Sequence, residues 1–186
     1  MSQKAFIMIP VALCVGLAAH TSGDSSEVAM KQIPLTQGQV ALVDDEDYEI
    51  VMQYKWNAVR FKHSYYAVRG AWIEKKVKRI HLHRFLMNPA DGMVVDHIDG
   101  DGLNNTRANL RVCTNFQNIQ NQRRRTTNKS GYKGVWWNPD LKKWRVRIRV
   151  NGKSLSVGHY DSAIDAANAY DETVRKHFGE FARTNF

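Results

Sequence analysis

Asp96 and His97 stand side by side after the apolar run Met93-Val94-Val95, with Asn109 and Asn118 downstream. These residue types suit hydrolysis of a phosphodiester. A hard divalent cation takes oxygen ligands, and a carboxylate with an amide oxygen supplies two while leaving positions for water and phosphate. A histidine that is neutral near pH 7 can take a proton from the attacking water. Its ring needs a fixed tautomer and direction, which a nearby amide or carbonyl provides. A bound cation would polarise the phosphate and stabilise the leaving oxygen.

The surrounding residues predict the elements that hold this set. Met93–Val95 lead into Asp96-His97 as a strand, a polar loop with Gly100 and Gly102 follows, and Leu110–Cys113 forms a second short strand. Thr114 is a suitable N-cap for a helix running to about Arg125, with Asn118 on its first turns. Such a hairpin and helix could turn Asp96 and His97 toward Asn118. Asp99 and Asp101 suggest a calcium loop, but the terminal glutamate of an EF-hand is missing, so they read as loop-forming residues. Asn104 and Asn105 read as turn residues.

The string Val95-Asp96-His97-Ile98-Asp99-Gly100-Asp101-Gly102-Leu103-Asn104-Asn105, followed by Asn109-Leu110-Arg111, resembles the HNH nuclease motif of phage and intron-encoded homing endonucleases. The resemblance implies roles for the matching positions. His97 would be the general base and Asp96 a metal ligand. Asn109 would brace the loop and the histidine, and Asn118 would be the second metal ligand, where many relatives carry His. Leu82-His83-Arg84 resembles the segment that usually precedes the motif, with a histidine outside the catalytic set. The implied cofactor is a divalent metal, Mg²⁺ or Mn²⁺.

Charge points to the same kind of partner. The chain of 186 residues carries 27 Lys and Arg against 18 Asp and Glu, a net charge of +9. Such a surplus favours a polyanion, because neutralised phosphates release condensed counterions. From Arg123 to Lys153 there are eleven positive residues and one negative, Asp140. Within this stretch Trp144-Arg145-Val146-Arg147-Ile148-Arg149-Val150 alternates strictly, so a strand here packs one face and presents three guanidiniums on the other. Asn151-Gly152 is a hairpin turn, Lys153–Tyr160 returns as the partner strand, and an earlier strand at Tyr132–Trp137 makes three. A helix from about Ser162 to Phe178 shows Ala163, Ala166, Ala167, Tyr170 and Val174 on one face, with Asp161 or Ser162 as cap and Gly179 as stop. Covering one sheet face with this helix leaves the arginines free to enter a major groove.

Tyr132-Lys133-Gly134-Val135, Trp144, Val157-Gly158, Ala166-Ala167, Ala169-Tyr170-Asp171 and the ending Thr184-Asn185-Phe186 resemble the plant ethylene-response-factor (Apetala-type) DNA-binding domain. The likeness covers nearly all of residues 131–186. It implies that Arg147 and Arg149 lie on the base- and backbone-contacting strand. Ser154 and Ser156 stand where plant members carry Arg and Trp, so the plant target sequence does not transfer.

The expected architecture is α+β: a small β-rich module over 30–80, a ββα-metal nuclease unit over 81–121, a basic linker over 122–130, and a three-stranded antiparallel sheet packed on one helix over 131–186. Val40–Val43 precedes an acidic cluster that opens a short helix through Tyr48 and Met52; Lys55–Val59, Tyr65–Val68 and Val77–Leu82 read as strands. Lys75, Lys76, Lys78 and Arg79 read equally as backbone contacts to DNA or as solvated turn residues. Residues 5–19 resemble a secretory signal; the alternative is translation from Met30, which suits a cytoplasmic protein. Cys14 and Cys113 are too few for a four-cysteine zinc site or a disulfide framework, and Cys113 reads as a small core residue.

The resulting expectation is a metal-dependent endonuclease, of homing type, from a phage or mobile element. Its double-stranded DNA would be selected through Arg145, Arg147, Arg149, Lys133, Lys143, Arg123, Arg124 and Arg125, with no membrane and no obligate protein partner. The competing readings are a transcription-factor-like DNA binder with an inert nuclease module, and a secreted nonspecific nuclease.

Overall fold

The computed structural model describes residues 29–61 and 64–186; the leader and start-site readings of residues 1–28 lie outside them. The fold is α+β, with several small antiparallel sheets and four α-helices among the described residues.

Strands β1 (Met30–Pro34) and β2 (Val40–Asp44) pair antiparallel, and helix α1 (Asp45–Met52) follows directly. Three acidic residues in its first turn suit the positive end of the helix. β3 (Asn57–Phe61), β4 (Ser64–Ile73) and β5 (Lys76–His81) form a three-stranded sheet in the order β3-β4-β5. Trp56 lies just outside β3, buried with Ile33, Val43, Val51, Ala67 and Leu82, where its indole N–H donates to the Val51 carbonyl at 2.9 Å. The Leu82-His83-Arg84 segment belongs to helix α2 (Leu82–Met87), which strand-like alternation ahead of it did not foretell; Asn88 in the left-handed region ends it.

β6 (Val94–His97) and β7 (Leu110–Cys113) make the nuclease hairpin, pairing Asp96 with Arg111 and His97 with Leu110. Helix α3 (Asn115–Gln120) starts at a capping box in which Thr114 and Gln117 exchange hydrogen bonds. It is shorter than its expected run to Arg125. Asn121 spends its amide on β6, and the polar residues beyond it offer no apolar face to extend the helix.

β8 (Val135–Asn138), β9 (Lys143–Val150) and β10 (Lys153–Tyr160) form the second three-stranded sheet, with β9 central. Helix α4 (Ala163–Phe178) covers one face, capped by the Ser162 hydroxyl, which accepts from the Ile164 and Asp165 N–H groups. Val135, Val146, Ile148, Ala166, Ala167, Tyr170 and Val174 form its core. Any Cβ at Gly134, which has φ of 76°, would overlap the Tyr170 ring, so glycine is required there.

Candidate active site

The loop between β6 and β7 is built by polar side chains that replace regular backbone pairing. The Asp99 carboxylate accepts from the Asp101 N–H at 2.7 Å, the Asn104 amide at 2.8 Å and the Asn109 amide at 3.0 Å. Burial opposes ionisation of Asp99, but these three donors outweigh it and hold its carboxyl below the usual range. Asp99 and Asp101 are therefore loop formers, as their spacing suggests. Asn109 is buried and braces the loop from the other side: its amide oxygen accepts from the Asp99 N–H at 3.0 Å, and its nitrogen also donates to the Asn104 carbonyl at 2.8 Å.

The N-terminal module holds the same loop. The Leu42 N–H donates to the Leu103 carbonyl and the Asn105 N–H to the Leu42 carbonyl, both at 2.8 Å. Asp44 accepts from the Arg107 N–H at 2.7 Å, and buried Asp47 grips the Arg107 guanidinium at 2.8 and 2.7 Å. Gly102 lies against the Tyr66 ring so closely that an added Cβ would stand 2.6 Å from it.

His97 ends β6 in a buried position, its Nε2 3.3 Å from the side-chain oxygen of Asn105. The Asn105 nitrogen donates to the Leu103 carbonyl at 3.0 Å, which fixes the orientation of that amide. The ring hydrogen therefore belongs on Nε2, and Nδ1 carries the lone pair. Burial pushes the imidazole below its ordinary pKa, although the Asn105 bond and the Asp99 carboxylate pull upward. A neutral histidine results. Its ring lies edge-on to Tyr66 at 5.9 Å and to His83 at 5.0 Å, and His81 lies 5.2 Å from His83. Burial, with His97, His81 and Arg84 nearby, lowers His83 to about 3, so that ring is uncharged packing.

Asp96 is buried beside it. Arg111, its cross-strand partner, places Nε and Nη2 on Oδ2 at 2.9 and 2.7 Å. Asn121 donates to both carboxylate oxygens at 3.1 Å and to the His97 carbonyl at 2.9 Å. Asn118 is half-buried on α3, and its side chain makes no hydrogen bond to Asp96 or His97; the amide that reaches both is Asn121, three residues later. Among the described residues no group of three or more His, Cys, Asp or Glu is arranged to hold a metal. A cation here would have to draw on Asp96 Oδ1, which retains a lone pair beyond its single amide donor, and on amide, water and phosphate oxygens. That hard-oxygen set fits Mg²⁺ or Mn²⁺.

Asn105, Asn121, Arg111 and Tyr66 were missed by reasoning from sequence. Asn105 reads from sequence as a turn residue like its neighbour, and only the structure separates them: Asn104 accepts from the Thr106 N–H and hydroxyl, while Asn105 turns to His97.

On the second sheet Trp136, Arg145, Arg147 and Arg149 share the face opposite α4, with Arg147 and Arg149 exposed. Arg123, Arg124 and Arg125 are exposed, with Arg123 donating to the Asp99 carbonyl at 3.3 Å and Arg124 to the Asn128 carbonyl at 2.8 Å. Lys143 pairs with Asp161 at 3.3 Å. Lys133 is turned toward the nuclease unit: its ammonium donates to the Gln120 carbonyl, and burial, aided by Arg183, lowers its pKa to about 8.

The HNH endonuclease family model matches residues 88–120, and the AP2 domain model matches residues 130–180. An uncharacterized HNH endonuclease of Acanthamoeba polyphaga mimivirus is 30% identical over 156 residues, covering 80% of this chain and 76% of the relative. Protein 3.8 of Escherichia phage T7 is 35% identical over 92 residues, covering 50% of this chain and 75% of the relative. An ethylene-responsive transcription factor of Arabidopsis thaliana is 32% identical over 99 residues, covering 50% of this chain and 60% of that protein. No solved structure matches the chain. The chain belongs to the HNH endonucleases, enzymes that cleave DNA. Within that class it is the form in which the nuclease motif is joined to an AP2 DNA-binding domain. Among the described residues no helix is long and apolar enough to cross a membrane.

Proposed function

We propose that this nuclease is metal-dependent and of homing type, cleaving double-stranded DNA at sites selected by the arginine face of residues 131–186. The observation that carries the chemistry is buried His97 with Nε2 3.3 Å from the Asn105 side-chain oxygen, an arrangement that puts the ring hydrogen on Nε2 and leaves Nδ1 to accept a proton. An attacking water would lose its proton to Nδ1, and Asn105 would stabilise the imidazolium that forms. Asp96 and Asn118 would hold Mg²⁺ or Mn²⁺, which when bound supplies charge stabilisation of the phosphate and the leaving oxygen. Asn109 keeps the loop rigid, Arg111 and Asn121 aim Asp96, and Arg123–Arg125 follow the phosphates between the two units. Relatives in a mimivirus and a phage support the mobile-element reading, and a DNA-directed enzyme suits the cytoplasm. We also propose the boundaries 30–80, 81–121, 122–130 and 131–186.

Plasmid nicking tests this reading. Wild type should nick in the presence of Mg²⁺ or Mn²⁺ and not in EDTA, and His97→Ala should lose about 10²–10⁴-fold in rate. Undiminished cleavage in EDTA, or by His97→Ala, would contradict it.

A further inference from the structure

The DNA-binding unit meets the nuclease unit at several points, and two of them, Arg111 and the Asp99 carbonyl, lie beside Asp96 and His97. Arg111 is almost fully enclosed, its side chain only 12% exposed, and its partners come from both units. Two of its N–H groups lie on Asp96 Oδ2, while Nη1 donates to the Glu180 carbonyl at 2.8 Å. The Phe181 ring covers the guanidinium face at 4.1 Å. Glu180 and Phe181 belong to the single turn of 3₁₀ helix that follows α4. Two residues later, Arg183 donates to the Asp99 carbonyl at 3.3 Å, on the loop after His97.

The far side of this segment is tied to the DNA-binding unit. Asp171, buried in α4, accepts from the Asn185 N–H at 2.8 Å and the Phe186 N–H at 3.0 Å, and Asn185 exchanges two hydrogen bonds with the backbone of Lys133. The chain from Gly179 to Phe186 is thus a strap with one side fixed on the DNA reader and the other on Arg111 and Asp99.

We propose that this strap is a positioning element of the nuclease: by holding the Arg111 fork, Glu180 and Phe181 set the Asp96 carboxylate. The physical reason is directional. Asn121 reaches both carboxylate oxygens at 3.1 Å, but an arginine paired only with its cross-strand carboxylate can still swing about its long stem and draw Oδ2 with it. Pinning Nη1 on a carbonyl and the guanidinium plane on a ring removes that freedom, so Oδ2 is fixed and Oδ1 keeps one direction. The inference rests on the reading of Asp96 as a cation ligand.

The test uses the full chain with Phe181→Ala, Phe181→Trp, Arg111→Lys and Asp96→Asn. Phe181→Ala should lower kcat for nicking by about tenfold or more and weaken Mn²⁺ binding, measured by calorimetry without DNA, by a similar factor. KM and the DNA affinity measured without divalent cation should not move. Phe181→Trp, which keeps an aromatic face for the guanidinium, should restore both readings. Arg111→Lys keeps the charge but loses the fork, so it should reproduce the loss even if Phe181→Ala proves too unstable to assay. Unchanged kcat and Mn²⁺ affinity in Phe181→Ala or in Arg111→Lys would overturn the proposal. Tighter Mn²⁺ binding with faster cleavage would also overturn it, by making the strap a lock. Cleavage and Mn²⁺ binding at wild-type levels by Asp96→Asn would instead defeat the underlying reading of Asp96.

Discussion

At the scale of single residues, the site depends on asparagines as much as on its histidine. Asn105 holds the His97 tautomer, Asn109 braces the loop, and Asn121 holds Asp96. An uncharged amide can donate and accept at once, so it orients its neighbours without adding a charge to the site. Replacing Asn105 by Ala removes the acceptor from Nε2 and lets the ring rotate or exchange its hydrogen. The expected result is a kcat reduced by about fivefold with KM unchanged, since one hydrogen bond worth roughly 1 kcal/mol has been lost from the aligned state. Single-turnover cleavage rates check this, and wild-type rates would remove Asn105 from the mechanism.

At the scale of elements, β9 combines two jobs through its alternation. Val146 and Ile148 are buried under α4, while Arg147 and Arg149 are exposed on the other face. Arg147→Ala should therefore weaken DNA binding without unfolding the domain, and reduce the slope of log affinity against log salt by about 1. Fluorescence anisotropy over a salt series measures both. This alternation was fully legible in the sequence, as were β7, the Thr114 cap and nearly the whole of α4. Helix α2 and the early end of α3 were not. Their lengths are set by contacts with other elements: Leu82 enters the core of the N-terminal module, and Asn121 turns away to bond β6.

At the scale of the whole molecule, both flanking units hold the catalytic loop. Asp47 of α1 grips Arg107 from one side, and the Gly179–Phe186 segment grips Arg111 and Asp99 from the other. Asp47→Ala should destabilise the fold by about 1–2 kcal/mol, because Arg107 is half-exposed and can rehydrate. It should also lower nicking more than it lowers DNA affinity, since the loop and not the reading face is loosened. Chemical denaturation and parallel nicking and binding assays separate these effects; equal losses in both would argue against a loop role for the N-terminal module.

Legible from residue order alone were the HNH motif around Asp96 and His97, the arginine-faced strand and the α+β class. Each is a local pattern, fixed by residue type and spacing along one segment. Which side chains aim the reacting ones follows instead from packing. Asn105 lies under His97, Asn121 on Asp96, and Phe181 on Arg111, because β6, α3 and the turn after α4 converge there. No spacing rule carries that information: between Arg111 and Phe181 it is set by how two units pack, and hydrogen-bond geometry within the packed loop then picks one asparagine from several.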